Sequence, residues 1–307
     1  MLILNLILYL ASFFLIWFGS GMIVSATSKF SKKLKLSPFA FSFVFLGILT
    51  SIPEFSVGIQ AVANHDPGIF VGNLLGGIVV LFLIVIPLLA IVGKGVSLKH
   101  EFNNKTLLAT LGVILAPSLL VLDKRVTNPE GALLILLYLG LLFWAQRKNG
   151  IFDKTNSGLL DMKAYSYRDI LKIFLGIGIV FLSSNVIVSK TMYFAGIMHI
   201  SEFYISLIVV AIGTDLPELS LAIRSVLSMG DYIGAAAAST FLFGIFTLFN
   251  NGEVLTISNF FVTFIFMLTA LGLFYMFFRT KNFISRKNGI MLFGIYLLFV
   301  FFELSRQ

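Results

Sequence analysis

The chain has 307 residues, 58% of them hydrophobic and only 12% charged, with a mean hydropathy of +1.00. Soluble domains carry about 25% charged residues, so this composition identifies an integral membrane protein. Cysteine is absent, which excludes disulfides, thiolate metal sites and cysteine nucleophiles. The net charge of +8 comes from basic residues scattered along the connections between apolar segments, and it marks no nucleic-acid site.

In lipid, backbone amides must be bonded within helices or a closed barrel, and apolar runs of about 20 residues without period-2 alternation select helices. The opening run "MLILNLILYLASFFLIWFGSG" has no basic leader and reads as a retained first span rather than a cleaved signal. Ten spans are expected, at 2–26, 38–63, 69–93, 106–122, 131–146, 170–189, 203–226, 232–249, 255–278 and 288–305. The longest polar connection, 147–169, separates a first five-span half (1–146) from a second (170–307) and is expected in the cytoplasm. Of the 22 Lys and Arg residues, 18 fall after odd-numbered spans and 4 elsewhere. By the positive-inside rule both termini then lie outside the cytoplasm. Short loops and the lack of a large insert point to a prokaryotic inner membrane, where some basic residues also meet anionic membrane lipids.

Span 2 contains "LTSIPEFS" (49–56), with Glu54 directly after Pro53; span 7 contains "GTDLPELS" (213–220), with Glu218 after Pro217 and a second acid, Asp215. Laying residue n on n + 164 pairs Thr50 with Thr214, Pro53 with Pro217, Glu54 with Glu218 and Ser56 with Ser220. The halves are repeats, and an odd number of spans in each makes the second enter the membrane in the opposite direction. The expected fold is an all-α polytopic membrane protein: ten transmembrane helices in two inverted five-helix repeats.

Proline removes an amide donor and displaces the carbonyl four residues back, here Leu49 and Gly213. Freed carbonyls inside a bundle line cavities and are hard oxygen ligands suited to Na⁺ or Ca²⁺. Ser51 with Glu54, and Asp215 with Glu218, are spaced i, i+3 and share a helix face. The two faces offer oxygens of Ser51 and Glu54, and of Asp215 and Glu218, with Thr50 and Thr214 beside the freed carbonyls. Singly, a buried acid is also read as a neutral structural residue, a proline as an ordinary kink, and Ser or Thr as bonded to its own helix. Repetition at equivalent places favours an ion site, because buried charge costs several kcal/mol and calls for partners. Three acids in low dielectric cannot all stay ionised without a cation, so protons compete with metal ions there.

Weaker features are read as structure. "GNLLGG" (72–77) and "GAAAAS" (234–239) suggest close helix packing, "NHDPG" a solvated turn at His65 and Asp66, and Arg224 a snorkelling end of span 7. "SSN" (183–185) is left open between helix bonding and a path lining.

On these residues the chain resembles the cation/calcium exchanger superfamily, the sodium/calcium antiporters and their prokaryotic relatives. The likeness runs along essentially the whole chain, through the lead-ins "KLKLSPFAFSFVFLGILTSIPEF" and "GIMHISEFYISLIVVAIGTDLPEL" and the two Thr-x-x-Pro-Glu boxes. The resemblance implies central Na⁺ and Ca²⁺ sites built from Glu54, Thr50 and Ser51, then Glu218, Thr214 and Asp215. It also implies exchange by alternating access, with spans 1 and 6 moving against the rest. The chain departs from the family pattern after each box: Gly77 and Leu81, then Phe241 and Ile245, stand where oxygen-bearing side chains are expected, and Asp215 replaces a neutral Ser. The expected function is antiport of Ca²⁺ or another cation against Na⁺ or H⁺, with no resident cofactor. The alternative is a degenerate member acting on a different cation, or a non-exchanging channel or regulatory membrane protein. Oligomeric state is left open. An enzyme is disfavoured, since His65, His100 and His199 all lie outside the span interiors and no P-loop is present.

Overall fold

The computed structural model describes residues 1–34, 47–97, 104–149, 167–223, 229–250, 260–281 and 283–306. The 150–166 part of the expected linker, Arg224 and His100 lie outside these. Among the described residues, eight helices are long and apolar enough to cross a membrane. We label the elements α1 (Leu2–Leu34), α2 (Gly47–Thr50), α3 (Ile52–Ala63), α4 (Pro67–Val92), α5 (Asn104–Asp123), α6 (Asn128–Asn149), α7 (Tyr167–Met198), α8 (Glu202–Thr214), α9 (Leu216–Ile223), α10 (Met229–Phe249), α11 (Phe261–Lys281) and α12 (Arg286–Leu304). The difference from the ten expected spans lies at spans 2 and 7. The described part of span 2 (47–63) forms α2 and α3, and that of span 7 (203–223) lies in α8 and α9, each pair interrupted by one non-helical residue; 38–46 and 224–226 lie outside the described residues.

Helices α4 and α10 form the centre and are buried along most of their length, whereas α1, α6, α7 and α12 each leave a broad apolar face outward. In lipid, apolarity does not pull helices together; small residues that let backbones approach do. A Cβ added at Gly72 would lie 2.4 Å from the Phe203 carbonyl oxygen, and one at Gly76 would lie 2.2 Å from that of Leu207. Both therefore require α4 to touch the backbone of α8. Gly47 makes the matching approach to α10, where a Cβ would stand 2.6 Å from the Gly234 carbonyl carbon. The "GNLLGG" and "GAAAAS" stretches are thus packing seams as read, each laid against one of the broken helices.

Around this centre, α1 pairs with α7. Lys190 Nζ donates to Asn5 Oδ1 (2.8 Å), and the Tyr9 hydroxyl bonds that of Thr191 (2.8 Å). Farther along, Gly19 meets the Gly176 carbonyl, so the two helices run antiparallel. The "SSN" stretch resolves on α7: Ser183 and Ser184 bond Ile179 and Phe181 carbonyls of their own helix, and Asn185 reaches Gln60 on α3 (3.0 Å). A two-residue antiparallel ladder, β1 (Val96–Ser97) with β2 (Phe283–Ile284), ties the end of α4 to the start of α12. Gly95 turns the chain into it at φ +113°, a conformation open to glycine, with the Phe283 ring against its Cα.

Replacing Gly76 with Ala sets a methyl against a backbone carbonyl and the Ala211 side chain. It is expected to cost about 1–3 kcal/mol and to lower the melting temperature of the protein in detergent. Gly112→Ala, where nothing stands within 4 Å, is expected to leave melting unchanged or slightly raised.

Candidate functional site

The two interruptions are alike in detail. Ser51 has φ −81°, ψ 8°, and Asp215 has φ −82°, ψ 4°, and the two are related by the same offset of 164. Each precedes a proline by two residues, and helix resumes at once, with Phe55 N–H donating to the Ser51 carbonyl (3.0 Å) and Leu219 N–H to that of Asp215 (2.9 Å). The missing proline amide and its ring explain the break. The glutamates fall in the first turn of the new helices, where free amides and the helix dipole favour negative charge.

All six predicted ligands are buried, none more than 4% exposed. The structure brings them into one region across the repeat boundary: the Thr214 side chain lies beside Glu54, that of Thr50 beside Glu218, and Asp215 is within electrostatic reach of both glutamates. Local bonds hold the hydroxyls. Ser51 donates to the Gly47 carbonyl (2.8 Å), as Thr50 does more weakly (3.4 Å), and Thr214 reaches Asn73 Oδ1 (3.0 Å) and the Ala211 carbonyl (3.2 Å). The carboxylates are not held in this way: both oxygens of Glu54, Oδ2 of Asp215 and Oε2 of Glu218 have no hydrogen-bond partner. Unpaired buried carboxylate oxygens are costly unless a cation or a donor compensates them. Among the described residues, no three acidic or histidine side chains close into a ready-made metal cluster.

Sequence reasoning missed Asn73, the one amide in the otherwise apolar α4. It is fully buried, bonded to Thr214, with Nδ2 unpartnered; a lone Asn in so apolar a run was the available signal. Gly77, next in the same seam, faces the site, since a Cβ there would lie 3.4 Å from Asp215 Oδ2. Leu81 is buried and opens a π-helical turn, Leu81–Val85, an irregularity common at functional sites. On α10 the expectation needs correction. Phe241 packs on the Tyr138 ring of α6 (5.3 Å), away from α4, and Ile245, one turn on, is partly exposed with it; the residue facing α4 is Phe243, 5.8 Å from Phe70. The fixed offset of 164 does not carry through to this helix.

At one end of the bundle, His65 and His199 cap α3 and α7 in left-handed conformation (φ 56° and 55°), and both are exposed, as the solvated-turn reading requires for His65. Asp66 beside them is partly buried, and burial together with the charge of Glu202 pushes its carboxyl up to about 6. A carboxyl raised above its unfolded value holds its proton better in the native state, so stability declines as pH rises from about 4 through about 6. Asp66→Asn is expected to remove that part of the slope in pH-dependent melting and to raise the melting temperature above pH 7.

The sodium/calcium exchanger protein family matches residues 4–146 and 169–304. The inner membrane protein YrbG of Escherichia coli K12 is 25% identical over 262 residues, covering 80% of each chain. The sodium/calcium exchanger MaX1 of Methanosarcina acetivorans is 24% identical over 340 residues, covering 96% of this chain and 97% of the relative. A solved structure of the sodium-calcium exchanger NCX_Mj, soaked with Na⁺ and Sr²⁺, superposes with a TM-score of 0.69 at 23% identity, covering 97% and 98%. The fold is that of a multi-pass cation-exchanger bundle. The chain belongs to the sodium/calcium exchanger family.

Proposed function

We propose that this protein is a secondary antiporter that moves Ca²⁺ or another cation against Na⁺ or H⁺ by alternating access, with the cation held by Glu54, Glu218, Asp215, Thr50, Thr214 and Ser51. The observation that carries this reading is the pair of matched helix breaks at Ser51 and Asp215. Each is followed by a proline and a buried glutamate with unpaired oxygens. An aqueous exchange path is where a membrane protein tolerates such a break, and a cation is what such oxygens lack.

The same reading takes the chain as ten spans in two inverted halves, 1–146 and 170–307, with the 147–169 linker cytoplasmic and both termini outside, in a prokaryotic inner membrane. Spans 2 and 7 are then the broken ones. Protons are natural competitors, because three neighbouring carboxylates hold fewer than three charges unless a cation compensates them. Ca²⁺ takes about 6–8 oxygens, so retained water completes its shell where Gly77 and Leu81 offer none.

A second reading, a non-exchanging channel or regulatory protein, is favoured by that loss of oxygens. Countertransport separates the two. In proteoliposomes, Ca²⁺ uptake is expected under an outward Na⁺ or H⁺ gradient, absent without one, and lost in Glu54→Gln and Glu218→Gln. Uptake that needs no opposing ion would establish the channel reading instead. Asp215→Asn is expected to alter both ion selectivity and the pH dependence of uptake; an unchanged profile would remove Asp215 from the site.

A further inference from the structure

The two halves share a second repeated feature, in their fifth helices. Gly131 is followed after six residues by Tyr138 and Leu139 on α6, and Gly289 by Tyr296 and Leu297 on α12. Residues seven apart share a helix face, and each glycine shows what its face touches. Gly131 lies against the Gly244 carbonyl and Thr247 of α10, and Gly289 against the Pro87 carbonyl and Ala90 of α4. Tyr138 follows this rule by packing on Phe241 of α10.

On the other side, the β1–β2 ladder makes α12 antiparallel to α4. Two turns beyond Gly289, Tyr296 therefore lies level with the start of the π turn, Leu81–Val85, where α12 packs. It is only 6% exposed, and its hydroxyl has no hydrogen-bond partner. The carboxylate whose field reaches it is Asp215, whose Oδ2 is also unpartnered. Gly77, which faces Asp215 from α4, puts no side chain beside that oxygen.

We propose that Tyr296 completes the cation site from α12. Its hydroxyl bonds a water held between the bound cation and Asp215, in place of the oxygens absent at Gly77 and Leu81. The proposal rests on the antiporter reading of the carboxylate region and adds a residue outside the two proline boxes. A phenol suits the position: it is neutral, so it adds no charge to a crowded site, and it both donates and accepts. Groups one shell out from a metal commonly tune affinity about 10–100-fold. Tyr138, its counterpart, also has an unpartnered hydroxyl, but it packs on Phe241 with no carboxylate of the site acting on it, and it serves as the control.

Tyr296→Phe, Tyr138→Phe, Asp215→Asn and the Tyr296→Phe/Asp215→Asn double variant would be compared as full-length protein. In proteoliposomes supplied with radiolabelled Ca²⁺ or Na⁺, Tyr296→Phe is expected to raise KM about tenfold with maximal rate within about twofold. Tyr138→Phe is expected to leave both near wild type, and the Tyr296 change to add nothing in the Asp215→Asn background. Melting of the same variants with added Ca²⁺ or Na⁺, against chelator without either, gives a readout that needs no transport. The cation-dependent rise in melting is expected to shrink in Tyr296→Phe when Asp215 is present, and the Tyr296 change is expected to add nothing in the Asp215→Asn background. Losses that are additive in melting, or kinetics of Tyr296→Phe matching those of Tyr138→Phe, would overturn the assignment. Transport that survives Glu54→Gln would instead overturn the antiporter site on which it rests, and the assignment with it.

Discussion

A helix that stops inside a membrane leaves amides and carbonyls in a medium that offers them nothing, so the neighbours must cover the break or a water-filled path must reach it. Much of this bundle answers to that constraint. The breaks at Ser51 and Asp215 sit against the two most buried helices, and glycine and alanine on those helices allow the backbones to touch. The central helices in turn stay nearly free of ionisable side chains, since α4 has none and α10 carries only Asp231 near its start, apart from the phenol of Tyr232. The acids of the two boxes stand instead at the breaks, in or beside the first turn of the new helices.

The halves are similar in plan and unequal in chemistry. Where the first break has Ser51, the second has Asp215, and Gly77 leaves room beside the added carboxylate. Asn73 bonds Thr214 across the repeat boundary, while the corresponding run of α10 is "GAAAAS", with alanines where α4 has its amide. A symmetric scaffold thus carries an asymmetric set of oxygens. On the proposed antiport reading, such an arrangement would bind its ions off-centre.

Much of this was legible in the residues. Length and composition marked the chain as a bundle of membrane helices, and proline chemistry pointed to the breaks, because a proline inside an apolar run removes an amide and displaces a carbonyl. The six candidate positions came from the two repeated boxes, and all six are buried in the structure. Less visible was anything set by helix rotation. Phe241 and Ile245 were assigned from a constant offset, yet a shift of two residues on a helix turns the side chain by about 200°, and Phe243 faces α4 instead. Asn73 was hidden inside a glycine motif whose packing role was enough to account for it. Tyr296 could be noticed only once Gly289 showed which face of α12 meets α4.

The short β1–β2 ladder has a mechanical consequence. It fastens α4 to α12 at one membrane surface by backbone bonds, which are indifferent to side-chain chemistry. The α1–α7 pair is held differently: its contacts with one another are close, and its attachments to the centre include Asn185 with Gln60 and the Phe13 ring lying over Gly213. An aromatic ring on a bare Cα is a smooth bearing, with no knob to climb out of a hole. On the proposed alternating-access reading, this contact, one residue from Thr214, is where the α1–α7 pair would slide past the clasped frame.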